Sequence, residues 1–188
     1  MLNYVENSIS FYGNDAVHDL TAEVNRRLKE SSSVTYVFYG TTFADRAEAL
    51  KKMGSEWVNS ADGEFGDESQ ICLKSYNNSP RTLENHLIWF YSKIDPNVVI
   101  CNHYSHCNGE FIGVRYKCVS KSKIKTFEEY RETEETVVYE TDLERIKEGD
   151  EISYISWQEL SDRHTDLNDL VRKELIASYP DKSRYLRW

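Results

Sequence analysis

The sequence is poor in the features that mark linkers, membrane spans and export. It has only 3 Pro and 8 Gly in 188 residues, which argues against long linkers. No apolar run approaches the length of a membrane span, and residues 1–6 lack the basic flank and apolar core of a signal peptide. Without such a signal we expect a cytoplasmic protein with no membrane partner. Its four cysteines are then expected to be reduced thiols: Cys72, Cys101, Cys107 and Cys118.

Positive charge is also scarce, while aromatic side chains are abundant. The formal net charge is −9, which disfavours binding to a phosphate backbone by charge alone. The chain carries 13 Tyr, 7 Phe and 4 Trp, and 39% of its residues are hydrophobic. This composition predicts a folded domain with a sizeable core, because a disordered chain is poor in aromatics.

The N-terminal part alternates between strand and helix patterns. Residues 4–12 alternate as a strand that ends at Gly13, and Asn14 is a suitable N-cap for an amphipathic helix to about Glu30. Residues 34–39 are β-branched and aromatic, so they predict a strand. A short helix then ends at Gly54, and another strand is expected at residues 70–76 after a polar loop at Asp62 to Ser69.

The middle of the chain contains the clearest helix start. Ser79 is the predicted N-cap, and Pro80 occupies the first helical position. The predicted buried stripe of this helix consists of Leu83, Leu87, Phe90 and Ile94. A strand is expected from Val98, followed by an Asn108-Gly109 hairpin turn and a return strand at residues 111–119.

The sequence changes character after Val119. Between Glu128 and Glu151, 11 acidic residues face three basic ones, nearly the whole net charge of the chain. Short strands are predicted at residues 136–139 and 152–155. Ser156 and Glu159 then form a capping box for a C-terminal helix. Its predicted apolar stripe includes Trp157, Leu160, His164, Leu167, Val171 and Leu175.

Several short motifs of the first two thirds resemble the YubB ferredoxin-like domain. They are Gly54-x-Glu56-Trp57, an acidic loop, Leu73-Lys74-Ser75, Ser79-Pro80, and Tyr104 with Gly109-Glu110-Phe111-x-Gly113. Asn7 and Gly13 are compatible with the opening strand of that family, whereas Glu56 stands where the family usually has Lys. The resemblance covers about residues 1–119.

The resemblance implies a fold and an origin but no activity. We expect an α+β protein whose residues 1–119 form a ferredoxin-like antiparallel sheet with helices packed on one face. An acidic extension with short strands and a C-terminal helix is expected at residues 120–188, packed on the same domain. Because the family occurs in phage- and plasmid-encoded proteins, the resemblance implies an accessory protein that binds a host protein. This is an analogy at the level of the fold.

A His/Cys cluster is the candidate for metal or thiol chemistry. Its members are Cys101, His103, His106 and Cys107. Thiolate and imidazole ligands suit zinc, but the spacing is not that of a standard zinc finger. In a strand, residues 101 and 103 would share one face while residue 106 lies on the other. Buried inert thiols in an ordinary hairpin are the alternative, and we expect no cofactor.

The acidic stretch and the basic stretch before it lead to two binding hypotheses. The first is that acidic and aromatic side chains contact a basic or nucleic-acid-binding host protein, such as a defence protein: Glu128, Glu129, Tyr130, Glu132, Glu134, Glu135 and Tyr139. The alternative for this stretch is a solvated surface. The second is single-stranded nucleic-acid binding by Lys121, Lys123, Lys125, Arg184, Arg187 and Trp188. We favour a non-enzymatic, partner-binding protein, with no catalytic residues assigned.

Overall fold

The computed structural model describes residues 3–31, 33–60, 70–133, 136–138 and 154–186. The strands are β1 (Tyr4–Tyr12), β2 (Val58–Ser60), β3 (Gln70–Tyr76), β4 (Val99–His106), β5 (Phe111–Ser120), β6 (Lys123–Glu132), β7 (Thr136–Val138) and β8 (Tyr154–Ser156). The α-helices are α1 (Asp15–Glu30), α2 (Val34–Tyr39), α3 (Arg46–Met53), α4 (Arg81–Tyr91) and α5 (Trp157–Ser178), followed by a 3-10 helix, Pro180–Tyr185. The loop predicted at Asp62 to Ser69 lies outside the described residues.

A six-stranded antiparallel sheet organises the fold. Its strand order is β2-β3-β1-β4-β5-β6. The first four strands, with α1 after β1 and α4 after β3, follow the βαββαβ order of a ferredoxin-like sheet. The predicted α+β fold class is therefore confirmed. Strands β5 and β6 extend this sheet beyond β4 by successive antiparallel pairing.

Helices cover both faces of the sheet, and each face has its own apolar core. On one face, helices α1 to α4 cover a cluster that includes Ile9, Phe11, Ile71, Leu73 and Ile100, all at most 1% exposed. On the other face, α5 packs against β5 and β6, and side chains of β4 also contact it. That second core includes Val99, Cys101, Val114, Tyr116, Leu167, Val171 and Leu175. Burial of these side chains is the main force that holds the helices on the sheet.

Most predicted caps and turns are confirmed by the backbone. Asn14 accepts a hydrogen bond from the amide of Val17 at 3.2 Å, and Ser156 accepts one from the amide of Glu159 at 3.0 Å. Gly54 ends α3 in the left-handed region at φ +83°, and Gly109 lies in the β4–β5 turn at φ +74°. These positions favour glycine because a side chain there would be strained.

The strand predicted at residues 34–39 is wrong, because this segment is helix α2. Ser33 caps it by accepting from the amide of Tyr36 at 3.3 Å, and Gly40 ends it in the left-handed region at φ +69°. These two caps lie within one short segment, and Val34 packs into the core of the α1 face. Capping and packing together override the strand preference of β-branched and aromatic residues.

Helix α4 also differs from its prediction. Pro80 is the N-cap residue and makes no side-chain capping bond, while the Ser79 hydroxyl hydrogen-bonds to Glu84. Phe90 and Ile94, predicted to be buried, are 47% and 37% exposed. The buried face is instead formed by Leu83, Glu84, Leu87, Ile88 and Tyr91. The buried face of α4 is therefore rotated relative to the prediction, and the carboxylate of Glu84 faces the sheet. In α5, Trp157 likewise differs, since it is 41% exposed.

The chain beyond residue 119 continues the same sheet before it reaches α5. Lys121 and Ser122 form a two-residue turn with φ of 48° and 57°, and β6 then pairs with β5 from Lys123 to Glu132. Strand β7 lies within the strand predicted at residues 136–139, and β8 overlaps the one predicted at residues 152–155. The two strands pair in parallel. Among the described residues, no helix is long and apolar enough to cross a bilayer.

Candidate binding site

A row of polar side chains crosses the sheet beneath α4. Asn102 of β4, Arg115 of β5 and Glu128 of β6 are directly paired in the strand register, so their side chains share one face. Lys117 lies two residues further along β5, and α4 places Glu84 above the row. We call Arg81, Glu84, Arg115, Lys117 and Glu128 the charged cluster.

The charged cluster is built on a fully buried ion pair. Glu84 is 0% exposed and Arg115 is 1% exposed, with 2.6 Å between Arg115 Nη1 and Glu84 Oε1. Lys117 Nζ lies 3.2 Å from the other oxygen of Glu84. Arg115 Nη2 reaches Glu128 Oε1 at 2.6 Å, and Arg81 Nη2 approaches the same oxygen at 2.9 Å. Three cations therefore face two carboxylates, an excess of one positive charge.

Neutral side chains link the cluster to the N-terminal half of the sheet. The amide of Asn102 donates to Glu84 Oε1 at 2.7 Å, to the Ser79 hydroxyl at 3.0 Å and to Asn7 Oδ1 at 3.1 Å. Asn7 in turn donates to the Ser75 hydroxyl at 2.9 Å. These bonds replace the water that the buried groups would otherwise bind, and so reduce the cost of burying them.

The cluster keeps both carboxylates ionised. Burial opposes ionisation of Glu84, but Arg115 and Lys117 together outweigh it and hold the pKa of that carboxyl below its ordinary value. The pKa of Glu128 is also lowered: burial again opposes ionisation, and hydrogen bonds from Arg115 and Tyr104 outweigh it. Tyr104 donates to Glu128 Oε1 at 2.5 Å, and burial followed by this bond raises the pKa of its phenol.

One end of the charged cluster opens into a cavity of about 580 Å³, which we call the cluster cavity. Arg115 and Glu128 line it from the sheet, and Arg81 lines it from the start of α4. Aromatic rings and a polar loop complete its lining: Tyr104, Phe111 and Tyr130, with Asn77, Asn78, Ser79 and Gly54. This volume is within the usual range for a small-molecule site. The arrangement therefore combines fixed charges with flat apolar surfaces.

The acidic residues of the first hypothesis do not form one surface. Glu128 belongs to the charged cluster and its side chain is only 17% exposed. Glu129 pairs with Val114 in the register and so lies on the α5 face, while Tyr130 is 46% exposed on the cavity side. Glu132 is exposed and accepts a hydrogen bond from Tyr130 at 3.2 Å. Glu134, Glu135 and Tyr139 lie outside the described residues.

The basic residues of the second hypothesis lie around the β5–β6 turn. Lys121 is in the turn, and Lys121 and Lys123 are exposed. Lys125 pairs with Cys118, and the ring of Phe127 on the same strand lies 5.9 Å from that of Tyr179, the residue before the 3-10 helix. Arg184 is exposed in the same 3-10 helix. Arg187 and Trp188 lie outside the described residues.

The four His/Cys residues are not brought together. Cys101 and His103 face α5, where burial raises the pKa of the Cys101 thiol. The ring of His103 lies 5.4 Å from that of His164, and burial is the main cause that lowers the pKa of His103 to about 4. His106 lies on the opposite face against Asn3, and Cys107 is in the turn. In the described part of the chain, no group of three or more His, Cys, Asp or Glu residues could hold a metal.

Of the charged cluster, only Glu128 was predicted as a site residue from the sequence, although two signals mark three of the other residues. Arg115 and Lys117 alternate with Val114, Tyr116 and Cys118 in a strand whose remaining residues are mostly apolar. Glu84 lies next to Leu83 and four residues before Ile88, inside an apolar helical stripe. A charged residue in a core stripe needs a partner, because unpaired buried charge is very costly.

Comparison with known proteins identifies no relative of this chain. No family model matches the chain, and neither the curated proteins nor the solved structures contain a match.

Proposed function

We propose that this chain is a non-enzymatic binding protein that engages and modulates a basic partner protein. The contact surface is the acidic half of β6, defined as Glu129 to Glu132, with Tyr130 and Glu132 on the cavity side of the strand and Glu129 and Arg131 on the α5 side. The observation that carries the proposal is Tyr130, which is 46% exposed on the outer strand of the sheet and hydrogen-bonds to Glu132. Exposed aromatics bordered by charge are typical of protein interfaces.

Charge supports a basic partner. The chain has a net charge of −9, and the sequence after β6 continues with Glu134 and Glu135. A negative surface of this kind accelerates encounter with a positive partner and weakens with salt. Glu128, which the sequence alone would include, contributes little to this surface because it is held in the charged cluster.

Thiol chemistry receives no support from the cysteine environments. Burial raises the pKa of Cys101, Cys118 and Cys72, which disfavours the thiolate that a nucleophile requires. The resemblance to phage- and plasmid-encoded proteins supports a host protein as the partner, including a host defence protein. The binding function is then modulation of that partner rather than chemistry.

Charge reversal of the acidic half tests the proposal. A tagged pull-down from nuclease-treated host extract at low and high salt would first identify the partner. For the purified partner, we expect Glu129→Lys with Glu132→Lys to slow association about tenfold and to reduce its salt dependence. The measurement is surface-immobilised binding kinetics at several salt concentrations.

The matched control carries the same charge change elsewhere. Asp166→Lys with Glu174→Lys places two lysines at exposed positions of α5. If both variants slow association equally, the effect comes from net charge alone, which would contradict the proposed surface. Unchanged association of the β6 variant would remove that surface from the account.

A second candidate function is nucleic-acid binding at the β5–β6 turn. It is favoured by the packing of Tyr179, which precedes the 3-10 helix that carries Arg184, against Phe127 of the strand that carries Lys123 and Lys125. Recovery of nucleic acid from an extract without nuclease, with a salt-sensitive gel shift, would favour this candidate. A salt-independent or absent shift would count against it.

A further inference from the structure

The cluster cavity contains more positive than negative charge, although the protein as a whole is acidic. Arg115 lines it from below and is 1% exposed, and its Nε has no hydrogen-bond partner among the described residues. Arg81 stands at the mouth with its side chain 62% exposed, bound only on one side by Glu128. The Arg115 guanidinium lies 4.8 Å from the ring centre of Tyr104 and adds positive potential beneath the cavity, while Arg81 offers a guanidinium that solvent can reach, which together favour an oxyanion.

The start of α4 adds to this positive potential. Its N-cap residue is Pro80, which makes no side-chain capping bond. Gly54 passes close by, and a Cβ at Gly54 would lie 3.0 Å from the amide nitrogen of Thr82. The absence of a side chain there keeps the helix end open on the cavity side. Helix N-termini attract anions through their amides and their dipole.

The outer wall of the cluster cavity is aromatic. The rings of Phe111 and Tyr130 are 5.5 Å apart at an angle of 47°, and Tyr104 lies 6.4 Å from Phe111. Because Tyr130 is 46% exposed, one of its surfaces remains available to a ligand. Aromatic walls of this kind bind planar rings.

We propose that the cluster cavity is a binding site for a small molecule that carries an oxyanion, phosphate or carboxylate, next to a planar ring. The oxyanion contacts Arg81 near the start of α4 and lies in the positive potential of the buried Arg115. The ring packs against Phe111 and Tyr130. This site shares Tyr130 with the proposed partner surface, but its charged contacts lie outside the acidic half of β6.

Glu128 has a defined part in this site. It occupies Arg81 and Arg115 with one carboxylate oxygen, at 2.9 and 2.6 Å. An incoming oxyanion competes with that carboxylate for Arg81. Neutralising Glu128 should therefore strengthen ligand binding, whereas a site for a cation would lose affinity.

The test uses four probes titrated into the full chain and followed by NMR chemical shifts. They are phenyl phosphate, benzoate, benzamide and inorganic phosphate. We expect saturable binding of phenyl phosphate or benzoate, with the tighter one identifying the oxyanion, and weaker binding of benzamide and inorganic phosphate. Benzamide binding as tight as the charged probes would overturn the oxyanion assignment. Inorganic phosphate binding as tight as phenyl phosphate would overturn the ring assignment.

Two variants and one control complete the test. Arg81→Gln should weaken the best probe about tenfold or more, because a charge-assisted contact is lost. Arg27→Gln is the control, since Arg27 is similarly exposed at 60% and also pairs with a glutamate. Glu128→Gln should tighten binding several-fold. Equal affinity of Arg81→Gln and Arg27→Gln, or weaker binding by Glu128→Gln, would overturn the proposal.

Discussion

The two faces of β5 differ in character although both are buried. Toward α5 the strand presents Val114, Tyr116 and Cys118, each at most 1% exposed. Toward α4 the same strand presents Arg115 and Lys117, at 1% and 3% exposed. One strand thus separates an apolar core from a charged one at equal burial.

This difference separates stability from specificity. The α5 face gains free energy from removing apolar surface from water. The α4 face must offset the desolvation of four charged side chains that are buried or mostly buried. A buried ion pair often contributes no more to the free energy of unfolding than an apolar pair of equal size. Because an apolar pair of equal size could provide similar stability, we infer that the charged cluster serves recognition. Its opening into the cluster cavity agrees with that inference.

The largest expected effect comes from breaking the charged face. Glu84→Gln would leave Arg115 and Lys117 buried with one remaining carboxylate, Glu128. We expect the free energy of unfolding to fall by about 3–5 kcal/mol, the usual cost of removing one partner of a buried ion pair. Urea unfolding followed by circular dichroism would measure it.

An exposed ion pair provides the control for that change. Glu159 pairs with Arg163 at 2.9 Å on α5, with its side chain 57% exposed. Glu159→Gln should cost several times less, because solvent screens the pair. Similar costs for the two variants would show that burial does not distinguish them.

A smaller effect on stability is expected on the α5 face, from a buried histidine. Burial, with a lesser contribution from His164, lowers the pKa of His103 from 6.5 to about 4. Between these pH values the unfolded chain binds a proton that the folded chain does not, so stability falls as pH falls through this window. The shift corresponds to about 3 kcal/mol of stability lost by pH 4. His103→Gln should remove that part of the pH dependence.

Unfolding at several pH values between 4 and 7 would measure this effect. Part of the dependence should remain in His103→Gln, because burial also lowers the pKa of His164. His18→Gln, at an exposed position of α1, is the control and should leave the profile unchanged. A wild-type profile that is flat across this window would contradict the buried neutral imidazole.

The fold was largely predictable from local signals, and the errors have physical causes. Asn14, Gly54 and Ser156 act locally, through a cap or a left-handed residue, and each was predicted correctly. The strand predicted at residues 34–39 is wrong because caps and packing override the intrinsic strand preference of these residues. Strand β6 was not recognised because the outer strand of a sheet tolerates charge on both faces, so its sequence lacks clear alternation.

The candidate site was less predictable than the fold. The acidic residues lie close together in the sequence, whereas the charged cluster joins residues from three different elements: Arg81 and Glu84 from α4, Arg115 and Lys117 from β5, and Glu128 from β6. Their pairing depends on strand register and on the rotation of α4, neither of which is visible in local sequence. Burial at β5 is the property that distinguishes Arg115 from surface arginines.

The most direct test replaces the buried charges by apolar groups of similar size. The triple variant Glu84→Met, Arg115→Met and Lys117→Met is examined by urea unfolding and by titration with phenyl phosphate. The account predicts stability equal to that of the wild type or up to about 4 kcal/mol higher, with probe binding lost. A variant that is much less stable, or that binds the probe as the wild type does, would contradict the claim that the charged cluster serves recognition.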